Sequence, residues 1–434
     1  MTARAFGSPQ RYTVSIAADD PSPRPRILVV SHVLPFPPGS GQQQRVALTL
    51  RALRQNFHVT VVTSASKKSA PGIQKALLQH CDAVVIVPSG TDDGILTTMA
   101  RRLFGAAYCL WSGEKWSNYI IGRLQFSGAK LAELARTGEY ECVLYEYWHA
   151  NASTTVFRSR GIPVVLDMHN ILWRAREQQL NARRWLPSWL RRVLVARYRH
   201  REESAWRRYD GLIAINEAER RYTASHIGPR ARMFHVPMGI LLEEWSYQWQ
   251  PAHPPRLAYY GGLGSLHNQR SAIECVREVM PIIWAEFPDA ELWLVGSNPP
   301  SRIRALANAH VKVTGFVEDV PSVLRSMTAV LCPWHGTYGF RSRIIEVMAL
   351  GVPLIATPDA VHGMELQPDR GLLLAPDTSE MANQALRLLR EPSLAREHSV
   401  AAREEVACRF DFSHTYERLA TELEEWLEKK RVSA

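Results

Sequence analysis

The sequence predicts an α/β protein made of two doubly wound, Rossmann-like domains, and three observations carry that prediction. Short apolar runs rich in Val, Ile and Leu alternate with amphipathic helical patterns, as in parallel sheets covered on both faces. The alternation runs once, breaks at a polar, proline-rich stretch, and begins again. The length, 434 residues, is also two to three times what one hydrophobic core usually serves.

In the first half RILVVS (26–31) is a strand and 42–56 a helix. The strands HVTVVTS (58–64), AVVIVP (83–88), ECVLYEY (141–147), IPVVLDMH (162–169) and DGLIAIN (210–216) follow. In the second half RLAYYGG (256–262) is a strand and 268–287 a helix. Then come AELWLVG (290–296), VKVTGF (311–316), AVLCPW (329–334) and VPLIAT (352–357). Residues 1–24 read as a flexible tail, 25–245 as the first domain and 246–412 as the second. The boundary is expected near VPMGILLEEW (236–245) or in the loop after it, where QWQPAHPPR (248–256) is polar and proline-rich. Residues 413–434 form a last helix, with Ser413 as its cap and Lys and Arg at its end to suit the dipole. Its apolar face suits packing on either domain, including back on the first.

Composition narrows the function. Apolar residues make up 46% and charged residues 22%, which excludes a mainly disordered chain. No run approaches the roughly 20 apolar residues of a membrane span, and the first residues have no signal-peptide core. The six cysteines are scattered, which favours a reducing cytoplasm. The net charge of +10 is concentrated in one place. Between Leu172 and Tyr209 eleven arginines face three glutamates, a surplus of +8. With Trp173, Trp185, Trp189 and Trp206, this stretch fits an anionic membrane surface and equally fits a surface helix whose tryptophans complete the core. No nucleic-acid module is legible.

Ligands of doubly wound domains bind beyond the carboxyl ends of the strands. After RILVVS, Gly39 and Gly41 let the backbone approach an anion or sugar in front of a helix. The loop is neither a dinucleotide fingerprint nor a P-loop. After IPVVLD, Asp167, His169 and Asn170 form a polar cluster; the plain alternative is that Asp167 caps a helix. After RLAYYGG, Gly262 and Gly264 again offer bare backbone. The strongest signal is HGTYGFRSRIIEVMALGVPLIAT (335–357). Gly336 and Gly339 enter a helix on which Arg343 and Glu346 share one side, with Ile344, Ile345 and Met348 on the other. Arginines at a helix start suit a diphosphate, and a carboxylate one turn on suits a ribose. A surface ion pair is the competing explanation.

GFRSRIIEVMALGVPLIAT resembles the donor-binding signature of the retaining glycosyltransferases of family 4, the glycosyl transferases group 1. RILVVSHVLPFPPGSGQQQRVALTLRAL, VVLDMHN, VKVTGFVEDVPSVLRSMTAVLCP and RGLLLAPDTSEMANQALRLLREP resemble further stretches of that family, in the same order, so the resemblance covers most of the chain. It implies the GT-B fold, two Rossmann-like domains facing across a cleft, with the acceptor on the first and the nucleotide-sugar donor on the second. The implied activity is retaining transfer of a sugar from a nucleotide-diphosphate sugar to a glycan or lipid-linked glycan. The implied setting is bacterial polysaccharide or glycoconjugate synthesis, in the cytoplasm or peripherally on the inner face of the plasma membrane. The implied catalytic residues are Arg341, Arg343 and His169. Donor contacts fall to Glu346, Tyr338, Gly339, Gly262, Gly264, Gly39 and Gly41. The family signature has two glutamates; counted back from Glu346, the first falls on Tyr338. A lysine usual after the first donor-domain strand is missing, and Arg270 is the nearest cation. With no D-x-D in the chain, no metal and no cofactor are expected. A nucleotide-sugar epimerase on the same fold and a non-catalytic nucleotide or sugar binder are the rival functions.

Overall fold

A computed structural model of the chain describes residues 13–16, 24–36, 39–89, 95–183, 185–336 and 340–432. They divide into two compact units, Met1–Pro237 with Tyr416–Ala434, and Met238–Thr415.

The first unit holds β1 (Thr13–Ile16), β2 (Arg26–Val30), β3 (His58–Ala65), β4 (Ala83–Pro88), β5 (Cys142–Glu146), β6 (Val164–Asp167), β7 (Gly211–Ala214) and β8 (Arg232–His235). Their order in the sheet is β1-β4-β3-β2-β5-β6-β7-β8. All pairings are parallel except β1 with β4. The winding reverses between β2 and β5, which makes their carboxyl ends the switch point of the sheet. The second unit holds β9 (Arg256–Tyr260), β10 (Glu291–Val295), β11 (Val311–Gly315), β12 (Ala329–Cys332), β13 (Leu354–Ala356) and β14 (Leu372–Leu374), in the order β11-β10-β9-β12-β13-β14. Its switch point lies between β9 and β12.

Both sheets are buried on both faces, which is why their strands read as continuous apolar runs. In β9, Leu257 and Tyr259 enter one core and Ala258 the other, following the period of two. The last helix, Arg418–Val432, belongs to the first unit. Its Leu419, Leu423 and Leu427 are buried, Trp426 meets Phe234 edge-on at 5.9 Å, and Arg418 donates to the His235 carbonyl at 3.1 Å.

Several elements differ from expectation. β1 lies in the stretch read as a flexible tail. β8 has one buried residue in its four, and β14 is only three residues long, so neither shows a recognisable pattern. The division falls at Pro237, at the start of the expected boundary stretch 236–245. Ile240 is buried in the second unit's core and exchanges backbone hydrogen bonds of 2.8 and 2.9 Å with Phe410 and Phe412, which ties 238–245 to that unit. The helix expected over 268–287 is Leu266–Glu274, a wider turn over Cys275–Val279, then Met280–Trp284. Pro281 has no N–H to donate, and Met280 N–H reaches back five residues to Cys275 O. Ser413 is not a simple cap: its N–H donates to the Asp411 carboxylate at 3.3 Å, ahead of a wide turn over Ser413–Glu417.

Candidate functional site

In the second unit the helix Ser342–Ala349 packs through Ile344, Ile345 and Met348 onto the face of the sheet that Ala258 enters, and the ring of Tyr260, the last residue of β9, lies against the same core. Tyr260 therefore meets this helix. Its hydroxyl donates to Glu346 Oε2 at 2.8 Å, and the Arg343 guanidinium lies 5.1 Å from its ring centre. Burial, then the neighbouring Glu346, pushes the Tyr260 phenol up from its ordinary value, so it remains a donor. Gly262 faces the same group: a Cβ there would stand 3.6 Å from Arg343 Nη1. Bare backbone, a guanidinium and a carboxylate thus converge at the switch point. At Gly264, a Cβ would meet Asn298 Cβ at 3.5 Å.

Arg341 is placed differently from expectation. It sits at the N-cap of the helix and donates to Ala360 O at 2.7 Å and Gly336 O at 2.9 Å, with its guanidinium 4.4 Å from the Trp334 ring centre. It ties the entry loop to the 357–360 turn, while Arg343 lies over the ring of Tyr260, which bonds Glu346. Arg270 pairs with Glu274 one turn on at 2.8 Å and so does not replace the family lysine near Gly262. Tyr338 and Gly339 lie outside the described residues.

In the first unit, parallel register places Glu146 opposite Asp167 at the last rung of β5 and β6. Two carboxylates this close need compensation, and the Arg45 guanidinium and the His169 ring supply it. Arg45, on the helix Gly41–Asn56, bonds both Asp167 oxygens through Nε at 2.9 and 3.1 Å and the Val236 carbonyl at 3.1 Å. His169 Nε2 pairs with Glu146 Oε2. Burial works against the charge on Asp167, but Arg45 and then His169 hold its carboxyl below the usual range. For Glu146 burial wins over His169 and the carboxyl is pushed up. Burial and the His169 charge bring His32 down to about 4, so it is neutral near pH 7.

His169, expected in a polar cluster at the strand end, is buried. Its ring stacks on Tyr147 with centres 4.1 Å apart. Both residues have positive φ, 57° and 69°, a strained state for non-glycine residues that clusters at functional sites. Asp167 does not cap a helix. Gly41 opens the helix that carries Arg45, Ser40 caps it by accepting from Gln43 N–H at 3.4 Å, and Gly39 precedes them, exposed. Sequence reasoning missed Arg45, Glu146, Tyr147 and His32. The signal was there for Glu146: a carboxylate ending a wholly apolar strand beside the switch point. Arg45 Nη2 and Glu146 Oε1 are buried and make no hydrogen bond among the described residues, so the cluster keeps one donor and one acceptor for a ligand.

Glu146, Asp167 and His169 each offer a ligand atom within 4.8 Å of the others. The guanidinium bonded to both oxygens of Asp167 opposes a dication there, so the set fits an ion-pair network better than a metal site.

The basic segment divides its tryptophans between core and surface. Trp206 is fully buried and Trp173 packs against the core, whereas Trp185 and Trp189 are 76% and 61% exposed. Arg176 holds the Gly113 carbonyl, Arg199 pairs with Glu203 and Arg201 with Glu114. Among the described residues no helix is long and apolar enough to cross a membrane.

Comparisons with known proteins bear on the family and the fold. Residues 40–239 match the family model described as glycosyl transferase 4-like domain, and 255–391 match that of glycosyl transferases group 1. A phosphatidyl-myo-inositol mannosyltransferase of Mycobacterium leprae is 29% identical over 226 residues, 49% of this chain and 60% of that protein. Its counterpart in Mycobacterium tuberculosis is 25% identical over 214 residues, 47% of this chain and 56% of that protein. The matched part of the chain thus spans no more than 60% of these relatives. Among solved structures, a sucrose-phosphate synthase of Thermosynechococcus elongatus superposes with a TM-score of 0.62 at 19% identity, over 95% of this chain and all (100%) of that one. Anabaena HepE in complex with UDP and glucose gives 0.60 at 16% identity, over 92% and 100%. These similarities establish the GT-B fold.

Proposed function

The chain belongs to the group 1 glycosyltransferases, and on that premise we propose that it moves a sugar, with retention, from a nucleotide-diphosphate sugar to a hydroxyl of a glycan or lipid-linked glycan. The observation that carries this reading is the convergence of Gly262, Tyr260, Arg343 and Glu346 at the switch point of the second unit. In it, Tyr260 fixes Oε2 of Glu346 and orients the carboxylate to accept from the ribose hydroxyls. Arg343 neutralises the departing diphosphate, where a preorganised charge acts on the transition state. Arg341 shapes the loop. In the first unit Glu146 fixes one nitrogen of His169 and Tyr147 its ring plane, and His169 contacts the transferring sugar or the acceptor. The acceptor proton passes to the leaving phosphate, so the reading needs no separate base and no metal.

The mycobacterial relatives are named for transfer onto phosphatidyl-myo-inositol, which favours a lipid-linked acceptor and peripheral work at an anionic membrane. Incubation with a panel of nucleotide-sugars and acceptor extracts tests the proposal. Nucleoside diphosphate release coupled to a glycosylated product supports it. Sugar interconversion without release would make the protein an epimerase, and binding without turnover a receptor.

A further inference from the structure

Two helices of the first unit carry outward faces that the proposed transfer chemistry does not use. On Ile95–Ser112, Leu103, Phe104, Leu110 and Trp111 are 73%, 76%, 64% and 62% exposed. At 100° per residue they fall within roughly a third of the circumference, one continuous apolar stripe. On Ser188–Trp206, Trp189, Val193, Arg197 and His200 share one face by the same spacing. The helices touch where the first one ends. Gly113 has φ +74°, and a Cβ there would stand 2.2 Å from Leu194 O, so only glycine allows this approach. Arg197 donates to Leu110 O at 3.2 Å, and the Arg201 guanidinium lies 5.3 Å from the Trp111 ring centre. The apolar stripe therefore runs directly into the basic face.

At that junction lies a cavity of about 310 Å³, lined by Trp111, Asn151, Arg197, His200, Arg201 and Arg208. Arg201 is balanced by Glu114. Arg197 and Arg208 supply the excess charge, and Asn151 and His200 add polar atoms. A basic pocket opening beside exposed Leu, Phe and Trp matches one ligand on both counts: a phosphate carried by acyl chains. We propose that this pocket holds the headgroup phosphate of an anionic phospholipid while Leu103, Phe104, Leu110 and Trp111 enter the interfacial layer. The site is separate from the sugar-transfer residues, and it rests on the peripheral-membrane reading above.

The test uses the full chain, phosphatidylcholine vesicles with and without phosphatidylglycerol, and dihexanoylphosphatidylglycerol kept monomeric. Wild type should co-sediment only with the phosphatidylglycerol vesicles and should bind the monomeric lipid in a calorimeter more tightly than inorganic phosphate. Arg197→Gln with Arg208→Gln should weaken vesicle binding about 30-fold, roughly fivefold per charge, and abolish binding of the monomer. Arg191→Gln with Arg192→Gln removes the same charge outside the pocket and should leave monomer binding intact. Leu103→Ser with Phe104→Ser should retain the monomer yet release the protein from vesicles at high salt, where the Coulomb part is screened. No sedimentation with any vesicle would overturn the membrane reading together with the pocket. Sedimentation with equal losses from both arginine pairs and no monomer binding would overturn the pocket alone. Equal affinity for inorganic phosphate would assign the site to free phosphate and overturn the lipid proposal. Circular dichroism melts of each variant separate these outcomes from misfolding.

Discussion

In the first unit Arg45 and Asp167 are both fully buried and bond each other twice, with Glu146 and His169 closed into a second pair beside them. In the second unit Arg343 is only half-buried, lies over a tyrosine ring, and shares a helix with the carboxylate that the same tyrosine holds. Both groups sit at the switch point of a doubly wound sheet, yet one is a closed network and the other an open one. The closed network fixes shape before any ligand arrives, because each buried charge already has its partner and within it only Arg45 Nη2 and Glu146 Oε1 lack a hydrogen bond among the described residues. An open one leaves charge for a ligand. Arginine in the first unit should therefore matter to folding, and arginine in the second to turnover.

The largest expected effect breaks the closed network. Arg45→Ala leaves Asp167 buried and uncompensated, which should cost about 3–5 kcal/mol of stability in urea unfolding. Arg343→Ala should cost less than about 0.5 kcal/mol, as partly exposed substitutions usually do. Equal losses would erase the distinction between the two sites. Next in size, Arg343→Ala should lower turnover at saturating donor about 10²–10³-fold, the usual effect of removing one preorganised donor. Arg341→Ala should act through the loop and raise donor KM as well. Wild-type activity should be unchanged in EDTA; loss that magnesium restores would move the charge stabilisation to a metal.

A smaller effect sharpens the view of the first unit as a shape-keeper. Glu202 accepts from the N–H groups of Leu172 and Trp173 at 2.8 and 2.7 Å, just after the strand-end residue His169. Burial, against those two donors, pushes its carboxyl up to about 8. A raised pKa makes the contribution full below the unfolded value near 4.5 and removes it as pH rises through 8. Thermal midpoints of the wild type should fall between pH 5 and 8.5 by more than those of Glu202→Gln (roughly the window spanning both pKa values). Parallel curves for the two proteins would contradict this assignment.

Much of the second site was legible because its parts lie close in sequence. Arg343 and Glu346 share one helix, and the glycine loops stand next to strongly apolar strands. Tyr260 was quoted as strand and not as site, since nothing local says that its side of the sheet meets Glu346. The first site was mostly illegible for the same reason. Arg45, Glu146 and Asp167 come from a helix and two strands far apart in the chain, and only strand order and register bring them together. His169 was legible by position, but its burial follows from the left-handed turn that tucks it against Tyr147. Edge strands such as Arg232–His235 escaped because one buried residue makes no pattern.

Glu346 as the ribose-holding carboxylate is the centre of the proposed donor site. Calorimetric titration of UDP, GDP and ADP into the wild type and into Glu346→Gln, with circular dichroism to confirm an unchanged fold, tests it. The wild type should bind one of the three. The variant should bind that nucleotide about 10- to 150-fold more weakly, equivalent to the roughly 1.5–3 kcal/mol of a hydrogen bond to a charged group. Unchanged affinity in a folded variant would remove Glu346 from the site and contradict the donor assignment of the second unit.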